Sequence, residues 1–150
     1  MDYQYIVQFI QRDKNLFLED ADIDKGIRPL VNAINSIKCF LTMNSCQGCL
    51  IADEAENHCS LTYVDFYVLY HKYELAHNLF SILKNKFDDG VLCSVEYESD
   101  FDLTNEDEVD FNGDINLRFT LQISDEQIDL ENIYKDVVKT IEDFSLDLKA

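Results

Sequence analysis

The sequence predicts an α+β fold: a mostly antiparallel four-stranded sheet with helices packed on it, in the order α-α-β-β-α-β-β-α. Three observations carry this. Ile115, Leu117, Phe119, Leu121 and Ile123 alternate with Asn116, Arg118, Thr120 and Gln122, the two-residue period of a half-buried strand. Residues 72–87 and the segment after Ser124 space their apolar side chains as amphipathic helices do. Two strand-like runs precede each of these helices, so two β-β-α units follow a pair of leading helices.

Taken in order, Tyr5, Ile6, Phe9, Ile10, Leu16 and Phe17 recur at helical spacing and predict a helix over residues 3–17. Asp22 or Asp24 is placed to cap a second helix carrying Leu30, Val31, Ile34 and Ile37. Pro29 falls near its first turn, where a missing N–H is tolerated. Cys39 to Met43 reads as a short strand. Leu61 to Tyr70 is a longer one, with β-branched and aromatic residues on both faces that suit a central position. The third helix buries Leu75, Ala76, Leu79, Ile82 and Leu83. Asp89-Gly90 then turns the chain into a strand over Val91 to Tyr97. Ser124-Asp125-Glu126-Gln127 is a capping box that opens the last helix, with Ile128, Ile133, Val137, Val138 and Ile141 as its apolar positions.

A length of 150 residues predicts a single domain over residues 1–150, interrupted by an acidic loop at 96–114 that holds nine acids and no base. The net charge is −18, and residues 76–150 supply −13 of it from 19 acids and 6 bases. Such a field repels phosphate backbones, so direct nucleic-acid binding is not expected. It attracts basic protein partners or divalent cations instead. No apolar run approaches the ~20 residues of a membrane span, and no basic region ahead of an apolar stretch marks a secretory signal. Five cysteines, an odd number, then read as reduced thiols in a cytoplasmic protein.

The most informative stretch is Thr42-Met43-Asn44-Ser45-Cys46-Gln47-Gly48-Cys49, small residues, a glycine and two thiols read as a turn just after a hydrophobic strand. Together with Ile27-Arg28-Pro29-Leu30-Val31-Asn32-Ala33-Ile34-Asn35 it resembles the wybutosine-synthesising tRNA methyltransferase family, in which I-x-P-L-V-x-x-I-N is followed by T-x-S-S-C-S-G-R. Residues 66–76 are also similar to the strand and helix that follow there, so the resemblance spans residues 24–76. It implies a related scaffold with a pocket at this turn. Use of S-adenosylmethionine, if it carries over, would fall on Thr42, Ser45, Cys46 and Gly48.

Other chemistries fit the residues less well. Cys46 and Cys49 have the two-residue separation of a zinc knuckle, but His58-Cys59 is a poor second pair because adjacent side chains seldom reach one ion. A redox reading of Cys46 and Cys49 is opposed by Asp53, Glu54 and Glu56, which disfavour a thiolate. Glu108 to Gly113 copies the first half of a calcium loop, yet Phe119 stands where the bidentate glutamate belongs, and a turn explains the segment better. His58, His71 and His77 are the only histidines, and none can be assigned as a base for Cys46. No catalytic set, cofactor or metal is singled out. Three readings remain: a small domain with a ligand or interaction pocket at Ser45–Cys49, an acidic interaction or inhibitory module using residues 96–114, and a methyltransferase-like enzyme.

Overall fold

The computed structural model describes residues 23–48, 61–97, 117–124 and 130–149. The expected helix over residues 3–17, the greater part of the acidic loop, and Cys49, His58 and Cys59 lie outside them.

A 3-10 turn, Lys25–Ile27, leads into α1, Arg28–Asn35. β1 is Phe40–Cys46, and β2, Thr62–Val68, ends in a 3-10 turn, Leu69–His71. Next come α2, Tyr73–Phe87, then β3, Val91–Tyr97, and β4, Leu117–Ile123. The last described element is α3, Leu130–Lys149. The four strands form one antiparallel sheet in the order β1-β2-β4-β3. Over the described residues this is the α+β architecture and element order expected.

The alternation in β4 positions its side chains as anticipated. Phe119, Leu121 and Ile123 are buried, and β2 opposes Phe66, Val64 and Thr62 to them in register. Phe66 is the hub of the core. Its ring lies 4.9 Å from Phe40 and 5.7 Å from Phe119, both stacked, and 5.9 Å from Phe80 of α2 in an edge-to-face contact. α1 contributes Leu30, Val31, Ala33 and Ile34, and α3 contributes Tyr134, Val137, Val138 and Ile141. Apolar positions on every element thus meet in one cluster.

Two local differences from the sequence reading matter. β1 does not end at Met43 but continues to Cys46, because β2 offers ladder partners as far as Tyr63. The register shifts between Thr42 and Asn44, a β-bulge that leaves the Met43 side chain about half exposed. Ile82, expected in the core, is exposed on α2, whose buried stripe is Ala76, Leu79, Phe80 and Leu83.

Candidate functional site

The stretch from Thr42 to Gly48 is densely occupied by contacts within the chain. Asn35, in the last turn of α1, donates from Nδ2 to the Val31 carbonyl at 3.0 Å and to Thr42 Oγ1 at 2.7 Å. Its Oδ1 accepts the Thr42 backbone N–H at 3.2 Å. Both side chains are buried, so this exchange ties α1 to the first edge strand where water cannot compete. The asparagine that closes the I-x-P-L-V-x-x-I-N segment and the threonine that opens the next one are therefore bonded to each other. Ser45 is half-buried opposite Val64, and Cys46 is buried opposite Tyr63.

Beyond the strand, Gln47 is fully buried and its Oε1 accepts the Gly26 N–H at 2.8 Å. A Cβ on Gly26 would sit 2.8 Å from that same oxygen, so only glycine permits the approach. The Gln47 N–H donates to Asp24 Oδ2 at 3.3 Å, and its carbonyl accepts from Thr62 Oγ1 at 3.1 Å. The turn itself falls on Gly48, at φ +54°. A side chain there would meet Thr62 Oγ1 at 2.6 Å and the Leu61 carbonyl oxygen at 2.9 Å. The amide of Gln47 thus packs against Gly26, while Gly48 lies against Thr62 and Leu61.

Across from this knot, Tyr134 of α3 reaches the start of α1. Its hydroxyl accepts the Leu30 N–H at 3.2 Å and donates to the Gly26 carbonyl at 2.9 Å. Leu30 is in the first helical turn, where backbone N–H groups lack intrahelical partners. Burial pushes the Tyr134 phenol up to about 12, with the Leu30 N–H pulling weakly the other way. Burial likewise raises the Cys93 thiol to about 11, opposed in part by the charge of Lys84.

A cavity of about 970 Å³ opens at the other end of β1, a distance of roughly 20 Å along the strand. Its walls are the α1–β1 connection, the turn that joins β2 to α2, and the final turns of α3. Ile37, Cys39, Leu75 and Leu148 give it an apolar lining, while Lys38, Lys72, Lys149 and His71 stand at it with Glu74 as the one acid among the described residues. Ser36 and Ser145 bridge α1 to α3 on one wall, their hydroxyls hydrogen-bonded at 2.9 Å. His71 adopts φ +55°, in the left-handed region uncommon outside glycine, and its ring packs edge-on against Tyr73 at 5.8 Å. Held strain of this kind concentrates at binding sites. None of Thr42, Ser45, Cys46 and Gly48 lines this cavity.

Sequence reasoning missed the three lysines because 34 and 77 residues separate them along the chain. One signal was available: bases are so few, 12 against 30 acids, that any convergence of them would stand out. Among the described residues no cluster of three or more His, Cys, Asp or Glu side chains could hold a metal, and no helix is long and apolar enough to cross a membrane. Cys39, Cys46 and Cys93 are free thiols. No protein-family model, curated protein or solved structure matches the chain.

Proposed function

We propose that this is a small cytoplasmic binding protein whose ligand seat is the lysine-rimmed cavity, and that it takes an anionic amphiphile: an apolar body ending in a carboxylate or phosphate. One observation carries the reading. In a chain of charge −18, three lysines and a histidine converge on a hollow of about 970 Å³ that is lined by Ile37, Cys39, Leu75 and Leu148. A volume near the top of the usual range for small-molecule sites, with few polar groups above an apolar floor, is how such pockets orient a ligand. The net negative charge adds selectivity, because an anion is disfavoured by the field of the chain as a whole and favoured by the lysines at this rim.

The pocket expected at Ser45–Cys49 gives way here to the opposite end of the strand. Two of the positions that a methyl-donor site would use are already committed: Thr42 to Asn35, and the space beside Gly48 to Thr62 and Leu61. The free thiols accord with a reducing compartment.

Thermal melts with decanoate, decyl phosphate and decanol test the proposal. Both anions should raise the melting temperature, decanol far less, and the shift should shrink as salt screens the lysines. In Lys38→Glu/Lys72→Glu the anion effect should fall at least tenfold in apparent affinity while the decanol response stays. Equal stabilisation by decanol, or an unaltered anion response in the double variant, would sink the assignment.

A further inference from the structure

The charge gathered at the cavity exceeds what one carboxylate can balance. Among the described residues three ammonium groups, Lys38, Lys72 and Lys149, stand at it with the single carboxylate of Glu74, a net of +2 while the His71 imidazole is neutral. Like charges so placed repel one another, and an anion of matching charge seated between them relieves the repulsion.

Other bases of the chain are spent on internal contacts. Lys84 donates to the carbonyls of Asp88 and Val91, Lys86 donates to Thr140 Oγ1, Lys135 pairs with Glu131, and Arg118 pairs with Glu96. Lys38, Lys72 and Lys149 make no ion pair or Nζ hydrogen bond among the described residues, in a chain where acids outnumber bases by 30 to 12. Each also belongs to a different wall: Lys38 to the α1–β1 connection, Lys72 to the turn entering α2, and Lys149 to the end of α3. Three stems thus reach the cavity from three elements. A planar carboxylate offers such a set two oxygens and one charge. A phosphate monoester offers three terminal oxygens on a tetrahedral centre and a charge of about −2 above its second ionisation near pH 6, and lysine serves phosphate as a point charge.

We infer that the cavity selects a dianionic phosphate monoester on an alkyl chain over a carboxylate of the same length. This rests on the reading of the cavity as a seat for an anionic amphiphile and names its head group. The phosphate lies among the three ammonium groups, and the chain lies along Ile37, Cys39, Leu75 and Leu148. Glu74 opposes any anion there, and a dianion more than a monoanion. Around His71 stand the same three lysines, Glu74, the Cys39 thiol and the Tyr73 ring. Histidine is the one side-chain type in this set that ordinarily changes charge between pH 5 and 8, the range in which the phosphate also titrates. His71→Asn therefore fixes the charge of the site, and asparagine accepts the φ of +55°.

Isothermal titration calorimetry of the full chain with decyl phosphate, decyl sulfate, decanoate and decanol, each below its micelle threshold, reads the head group. At pH 8 decyl phosphate should bind about tenfold more tightly than decanoate or decyl sulfate. The sulfate has the tetrahedral centre and three oxygens but one charge, so it separates charge from shape. In His71→Asn the advantage of phosphate over sulfate should largely disappear at pH 5, where both are monoanions. Glu74→Gln should tighten decyl phosphate by at least about threefold and decanoate by less, a gain that no loss of folding can imitate. Two further arms fix the source: inorganic phosphate should bind far more weakly than decyl phosphate, and vesicles containing phosphatidic acid should not sediment the protein, whose charge of −18 opposes an anionic surface. Equal affinity for decyl phosphate and decanoate at pH 8, or no gain in Glu74→Gln, overturns the inference and leaves the anionic-amphiphile reading standing. Inorganic phosphate that matches decyl phosphate overturns it as well, and so does capture on vesicles without a response to dissolved decyl phosphate. Decanol bound as tightly as either anion sinks both.

Discussion

Replacing Tyr134 by phenylalanine removes one hydroxyl and two hydrogen bonds, one buried and one partly buried, and leaves the ring in place. Two groups lose their partner: the Leu30 N–H and the Gly26 carbonyl, at 3.2 and 2.9 Å in the intact protein. A buried polar group stripped of its partner costs about 1–3 kcal/mol, and the carbonyl has a second lone pair and relaxes more easily than the amide, so a loss of about 2 kcal/mol is expected. In a chain of this size that lowers the melting temperature by roughly 4–8 °C. The effect also has a pH signature. The phenol titrates near 10.0 when exposed and near about 12 when folded, so the folded state holds the proton more tightly. Its contribution is complete below pH 10 and drains away as pH climbs towards 12. Phenylalanine has no proton to lose. Urea titrations of both proteins, followed by far-ultraviolet circular dichroism in steps from pH 8 to pH 12, should therefore show the gap between them closing on the alkaline side. A gap that stays constant across that range, or never exceeds the fitting error at pH 8, refutes the placement of this hydroxyl.

Gly48→Ala should destabilise by at least about 1–3 kcal/mol in urea, because φ +54° and the 2.6 Å approach to Thr62 Oγ1 penalise the same methyl group; a neutral outcome would contradict the turn. Asn35→Ala leaves the Thr42 N–H and hydroxyl without their buried partner and should cost about 2–3 kcal/mol, with Thr42→Val recovering part of the loss in a double-mutant cycle. Additive losses in that cycle would mean the two residues do not interact. With the thiol raised to about 11, only about 0.1% of Cys93 is thiolate at pH 8, so iodoacetamide should modify it slowly and about tenfold faster per pH unit above that. Peptide mapping against Cys93→Ser isolates the site, and rapid labelling at pH 8 would count against its burial.

The strands and helices were legible because each repeats its apolar residues at a fixed period: two in β4, three or four in α2 and α3. Val91–Tyr97 is recovered with both ends in place, since Asp89-Gly90 marks its start and the next residues turn acidic. β1 was cut short at Met43 because periodicity cannot register a bulge; one inserted residue makes Asn44, Ser45 and Cys46 look like the exit from a strand they belong to. Small residues at Ser45–Cys49 suggested a pocket rim; Gly48 instead admits the close approach of Thr62 and Leu61, and Gly26 that of the Gln47 amide. The lysine-rimmed cavity left no trace in any local window, since Lys38, Lys72 and Lys149 come from three separate segments and meet only through the fold.

The bond from Tyr134 to Leu30 joins residues 104 positions apart. During synthesis α1 would leave the ribosome long before the helix that satisfies its first turn and packs against it. Domains acquire their cores in the order their parts emerge, and here a principal wall arrives last. Until α3 docks, the nascent sheet and α1 carry an open greasy flank, the condition under which chaperones engage a growing chain. A premature stop anywhere before residue 130 would therefore yield a sticky fragment and not a smaller working protein.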